Sequence, residues 1–116
     1  MELSNVSGVV NTTDTLVFVC GKQSSIFNII FSNITGLASN VDIKIFNKKL
    51  NRELNLPKGE EFLIYLAKGL SVQPNNILKF GGSDDNNYYL NEGDKIYVSS
   101  LSTNTLHYHV NVKSNM

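Results

Sequence analysis

Short runs of alternating apolar and polar residues, separated by turn-formers about every ten positions, recur through most of this chain. Val41-Asp42-Ile43-Lys44-Ile45-Phe46 is the cleanest. Val41, Ile43 and Ile45 fall on one face and Asp42 and Lys44 on the other, the period of a half-buried strand. Leu106 to Val112 repeats the pattern, with Leu106, Tyr108, Val110 and Val112 inward and His107, His109 and Asn111 outward. Two other runs are apolar on both faces. In one, Leu16, Phe18 and Cys20 alternate with Thr15, Val17 and Val19; in the other, spanning Ser24 to Thr35, Phe27, Ile29 and Phe31 oppose Ile26, Ile30 and Ile34.

Weaker signals fill the remainder. Residues 1–13 have no helical period and read as an arm or one short strand at Gly8 to Asn11, set apart from a single domain over 14–116. Asn47-Lys48-Lys49 turns the chain into Leu50 to Leu56, where Leu50, Leu54 and Leu56 share a face. Ile77 to Phe80 adds a short strand, and Tyr88 to Leu90 pairs with Lys95 to Ser99 as a hairpin. Gly81 to Asn87 is the most loop-like segment.

Two stretches share one shape. Leu56-Pro57-Lys58-Gly59-Glu60-Glu61-Phe62-Leu63-Ile64 and Leu90-Asn91-Glu92-Gly93-Asp94-Lys95-Ile96-Tyr97-Val98 match position for position. In each, Gly59 or Gly93 supplies the positive φ that reverses the chain, and the following acid opens a strand as a solvated group. Two copies are too few for a solenoid, so they read as two corners of one fold. Residues 57–69 admit a second reading as a helix, with Pro57 at N1 and Gly69 as the C′ glycine; the match to residues 90–98 favours a strand. The sum is about eight short strands and no long helix. That predicts an all-β protein, an antiparallel β-sandwich of jelly-roll or Ig-like type, with two packed sheets.

Composition narrows function mostly by exclusion. Ten basic and ten acidic residues balance, and no basic cluster stands out, so a nucleic-acid partner is not expected. The longest apolar run, Phe62 to Ala67, is far too short to span a bilayer, and no membrane partner is expected. Met1-Glu2 opens without the features of a secretory signal. Cys20 is the sole cysteine and sits in an apolar run, which points to an inert buried thiol and excludes an intrachain disulfide. Sixteen asparagines suit a turn-rich β protein, and in so Asn-rich a chain the sequon matches at Asn5, Asn11 and Asn33 read as chance.

Candidate chemistry is sparse. His107 and His109 share a strand face, but zinc needs a third ligand that no other His or Cys supplies. Asp84-Asp85-Asn86-Asn87 offers oxygen ligands without the spacing of a calcium loop. Glu60, Glu61, Glu92 and Asp94 are explained by the two turns without catalytic duty. Neither catalytic residues nor a metal or cofactor are expected. Recognition is assigned instead to surfaces: the loop Asp84, Asp85, Asn86 and Asn87 with Tyr88 beside it, and Val6, Val9 and Val10 near the start of the chain. Tyr88 and Tyr89 must point to opposite sheet faces, leaving one ring exposed.

Taken in order, these segments resemble the small β-sandwich virion proteins of tailed bacteriophages. The resemblance lies in the opening strand and Gly-Lys turn (Thr15 to Lys22) and the apolar strand ending in Asn (Ile26 to Asn33). It continues through the alternating strand Val41 to Ile45, the Leu56-Pro57-Lys58-Gly59-Glu60 turn, and the Leu90-Asn91-Glu92-Gly93-Asp94-Lys95-Ile96-Tyr97-Val98 turn. It covers about residues 14–112, departing between Ala67 and Asn87, where this chain carries extra sequence. The resemblance implies a non-enzymatic structural role in a virion assembled in the host cytoplasm, decorating or cementing the capsid or attached at the neck or tail. Its partners would be other virion proteins and further copies of itself, with a trimer as the working figure. Residues 1–13 are expected to contact a neighbouring subunit.

Overall fold

Alternation this regular commits most of the chain to strands. The computed structural model describes residues 2–21, 25–81, 88–102 and 106–114. Among them are β1 (Glu2–Val9), β2 (Thr15–Val19), β3 (Ser25–Asn33), β4 (Ser39–Phe46), α1 (Lys48–Glu53), β5 (Leu63–Val72), β6 (Asn76–Phe80), β7 (Tyr88–Leu90), β8 (Lys95–Ser99) and β9 (Leu106–Ser114). One sheet, A, has the order β1-β9-β3-β6 with β7 also on β3; the other, B, runs β2-β8-β4-β5. Every pairing is antiparallel. The partners nest: β1 with β9, β2 with β8, β3 with β6 and β7, β4 with β5. That nesting is a jelly-roll winding, which decides between the two sandwich types expected.

The two inner faces form the core. Phe27, Ile29 and Phe31 of β3 and Leu106, Val110 and Val112 of β9 face Val41 and Ile43 of β4 and Ile96 and Val98 of β8, none more than 3% exposed. Burying each such side chain stabilises by about 1.5–3 kcal/mol. Cys20 is buried as expected. A β-bulge at Val17, between the Leu16–Tyr97 and Phe18–Ile96 pairs, turns both Val17 and Phe18 toward the core, so β2 does not keep the simple alternation.

Four readings of the chain's secondary structure need correction. The first strand is Glu2–Val9 rather than Gly8 to Asn11, and it belongs to sheet A, paired with β9 along its length. Its inward positions are Ser4, Val6 and Gly8, and the ring of Tyr108 lies where a Gly8 Cβ would be, within 2.6–2.9 Å. Leu50 to Leu56 is not extended. Asn47 caps a helix by accepting from the Leu50 amide (3.0 Å), and Asn55, at φ 53°, ends it in the left-handed conformation. The Leu50–Leu54 spacing of four suits that helix as well as it suited a strand.

The strand reading of 57–69 holds over its second half only, as β5 starts at Leu63 and continues to Val72. Finally, the second glycine turn is no hairpin. β7 lies in sheet A and β8 in sheet B, so Gly93 carries the chain from one sheet to the other.

Both glycine turns have the geometry their sequence implies. The Glu60 amide donates to the Pro57 carbonyl and the Asp94 amide to Asn91, each at 3.0 Å, with Gly59 at φ 89° and Gly93 at φ 88°. These are type II turns with glycine at the third position. Their acids differ. Glu60 is exposed, whereas Asp94 is 3% exposed and not the solvated strand opener expected. Its carboxylate accepts from the Lys48 amide (3.0 Å) at the start of α1 and from the Asn91 amide (2.9 Å), while Cys20 bonds the same corner through its backbone. Asp94 thus joins a helix, a turn and a strand end.

Replacing Asp94 with Ala leaves two amide donors without their acceptor. We expect Asp94→Ala to lower unfolding free energy by about 2–4 kcal/mol in urea titrations, with Glu92→Ala, at the exposed position of the same turn, within about 0.5 kcal/mol of wild type.

Candidate interaction surfaces

Strand register fixes which side chains share the outer face of sheet A. One rung runs Leu3–Lys113–Ile26–Tyr89 and the next Asn5–Asn111–Asn28. Two more follow: Ser7–His109–Ile30–Lys79 and Val9–His107–Ser32–Ile77. Three amides therefore line up across adjacent strands, and Asn111 donates to Asn28 at 3.0 Å. A groove of about 480 Å³ follows these first two rungs, lined by Leu3, Asn5, Ile26, Asn28, Asn111 and Lys113. Leu3, Tyr89 and Ile77 flank the face at 75%, 69% and 69% exposure.

The outer face of sheet B carries polar contacts of its own, beside the half-exposed Leu16, Val19 and Tyr65. Glu61 pairs with Lys95 (2.5 Å) and accepts from the Tyr97 hydroxyl (2.6 Å). Asp14 pairs with Lys44 (3.0 Å), whose ammonium lies over the Tyr65 ring, and Lys95 lies over Phe46. The hydrogen bonds from Lys95 and then Tyr97 hold the Glu61 carboxyl below the usual range. Burial first, and then Glu61, push the Tyr97 hydroxyl up to about 12.

The four sheet edges differ as sharply. β2 is short and bulged. β5 has two register shifts, and Gly69, at φ 67°, donates its amide to the Asp42 carboxylate. The β6 edge stops at Phe80 and resumes as β7 at Tyr88, the two rings stacked at 4.6 Å. β1 has none of these interruptions. It pairs with β9 in unbroken register over eight residues and carries neither Lys nor Pro. The Val10 amide donates to the Leu106 carbonyl, so by antiparallel alternation the even-numbered residues of β1 bond to β9. The backbone groups of Leu3, Asn5, Ser7 and Val9 then point away from the sheet, with no strand beside them among the described residues.

The expected contact residues separate accordingly. Val6 and Val9 sit on this edge, 37% and 48% exposed, but Val10 is buried in the core. Asp84, Asp85, Asn86 and Asn87 lie outside the described residues. Tyr88 turns inward onto Phe27 and Phe80, and Tyr89 is the exposed ring. His107 and His109 are half-buried on the outer face of sheet A, and His109 Nδ1 hydrogen-bonds the Ser7 hydroxyl. No cluster of three or more metal-ligating side chains occurs among the described residues, and no helix there is long and apolar enough to cross a membrane.

Asn33, read as a chance sequon, is 1% exposed. Its amide donates to the Leu37 and Val72 carbonyls (2.8 and 3.0 Å), and its oxygen accepts from Thr35. The Asn rung was missed because its members are more than twenty residues apart or further, and only register unites them.

Glu61 and Tyr97 make stability depend on pH at both extremes. The depressed Glu61 value gives a contribution that is complete above its ordinary 4.5 and lost as pH falls through the lower folded value. The raised Tyr97 value gives one complete below 10.0 and lost as pH rises toward about 12. Glu61→Gln should flatten the acid limb of a stability–pH curve and move the Tyr97 phenolate absorbance titration down, without restoring it fully, because burial remains.

No family model and no curated protein matches the chain. Among solved structures, one from Bacillus endospore appendages, described as a family of disulfide-linked pili, aligns with 99% of this chain and 86% of its own, at TM-score 0.48 and 9% identity.

Proposed function

We propose that this chain is a non-enzymatic structural protein of a tailed-bacteriophage particle, holding its place by repeated protein–protein contacts on the capsid or at the neck or tail. The observation that carries the assembly half of this reading is the β1 edge. Exposed edges are ordinarily blunted by bulges, charges, prolines or interruption. The other three edges of this sandwich are bulged, shifted in register or interrupted, whereas β1 is unbroken and carries a single charge, Glu2, at its first residue. The virion half rests on the ordered motifs from Thr15 to Val98 in the sequence. Apolar loop tips at Ile34, Leu37 and Leu101, 66–85% exposed, add further contact area at one end of the sandwich.

Mass spectrometry of purified particles tests this directly. The chain should be present in fixed stoichiometry: hundreds of copies for a shell decoration, or about six to eighteen for a neck or tail position. Its absence from particles overturns the proposal.

The Asn rung favours one second reading, a sandwich that binds carbohydrate. Aligned amides beside an apolar floor and an exposed Tyr89 suit sugar hydroxyls and their apolar faces. On a glycan array, run with and without calcium, a bound glycan should be lost in Asn111→Ala. An array without hits rejects this reading.

A further inference from the structure

We propose that β1 pairs antiparallel with β1 of a second copy of this chain, across a two-fold axis that passes between the two Val6 residues. The inference rests on reading β1 as the assembly edge and names what docks there. The pattern along the strand is self-complementary in one register. Leu3 then faces Val9 of the second copy, Asn5 faces Ser7, Ser4 faces Gly8 and Val6 faces Val6.

Every exposed apolar residue of β1 meets an apolar partner, and the small and polar residues meet each other. Sliding the copies by two residues either way sets Val6 against Ser4 or Gly8 and Leu3 or Val9 against Ser7 or Asn5, losing all the apolar pairs. Sliding by one sets outward residues against inward ones.

Hydrogen bonding selects the same register. The free backbone groups belong to Leu3, Asn5, Ser7 and Val9, as deduced from the Val10–Leu106 bond. In the proposed pairing these four form the hydrogen-bonded pairs, Leu3 with Val9 and Asn5 with Ser7, each exchanging both backbone bonds. Val6 then sits in a close, non-hydrogen-bonded pair with its own copy. No charge lies between Leu3 and Val9, so the two-fold axis brings no like charges together. Two A sheets become one continuous sheet, an isologous interface that closes as a dimer and not as a trimer.

The register is read by cysteine scanning in the full chain, where native Cys20 is 2% exposed. Val6→Cys should form a disulfide-linked dimer under mild oxidation, since facing Cβ atoms in such a pair lie about 4.5–5.5 Å apart and closer at non-hydrogen-bonded sites. Ser4→Cys, which faces Gly8, should not. Ser7→Pro removes an outward amide and leaves the β9 pairing intact; light scattering should read half the wild-type mass, with the thermal midpoint of the monomer retained. A wild-type chain that is monomeric at every concentration, with no Val6→Cys cross-link, overturns the proposal. If particle incorporation still falls in Ser7→Pro under that outcome, the edge serves another partner and the assembly reading survives; unchanged incorporation removes the edge from that reading as well.

Discussion

The inner row of β9 is the constraint on which the rest of this sandwich depends. Leu106, Tyr108, Val110 and Val112 are buried, and their strand is bonded on one side to β1 and on the other to β3. Sheet A therefore has no centre until the last strand arrives. Its pairs join Glu2 to Ser114 and Ser25 to Ser114, which makes loop closure over most of the chain a precondition for burying the core. Sheet B is nested inside the same arrangement, with β8 between β2 and β4. Such a topology is dominated by non-local contacts, and folding is correspondingly slow relative to helical domains of this size.

Central strands were legible in the sequence because both their neighbours enforce alternation. β3, β4 and β9 have the inward and outward sets their residue pattern implies. Edges were less legible. β1 offers small residues, Ser4 and Gly8, on its inward side, because Tyr108 from the adjacent strand already fills the space above Gly8. No apolar period survives there to be read. α1 was lost to a spacing of four that fits two structures, and Asp94 to a match between two turns whose neighbours differ. Gly59 faces open space while Gly93 sits against the Lys48 side chain, close to the helix that Asp94 anchors.

The surfaces follow the same division. Sheet B crosses its outer face with ion pairs and cation–π contacts, each modest alone and screened by salt. Sheet A has no such covering over its amide rung, and it alone ends in an unbroken strand. Function in a sandwich of this kind resides in sites borne by the fold rather than in the fold itself. Here the amide-lined face and its edge adjoin, since Leu3 and Asn5 belong to both. A neighbour added at β1 would extend the floor of the groove as well as the sheet.

The broken edge at β6 and β7 has a different consequence. Phe80 and Tyr88 occupy successive places along one track on β3, and their stacked rings close the seam. Because β3 sets the register on each side independently, the number of residues between them is decoupled from the geometry of the sheet. Evolution, or an engineer, can change how much chain joins Phe80 to Tyr88, and the pairing of β6 and β7 with β3 still holds the frame.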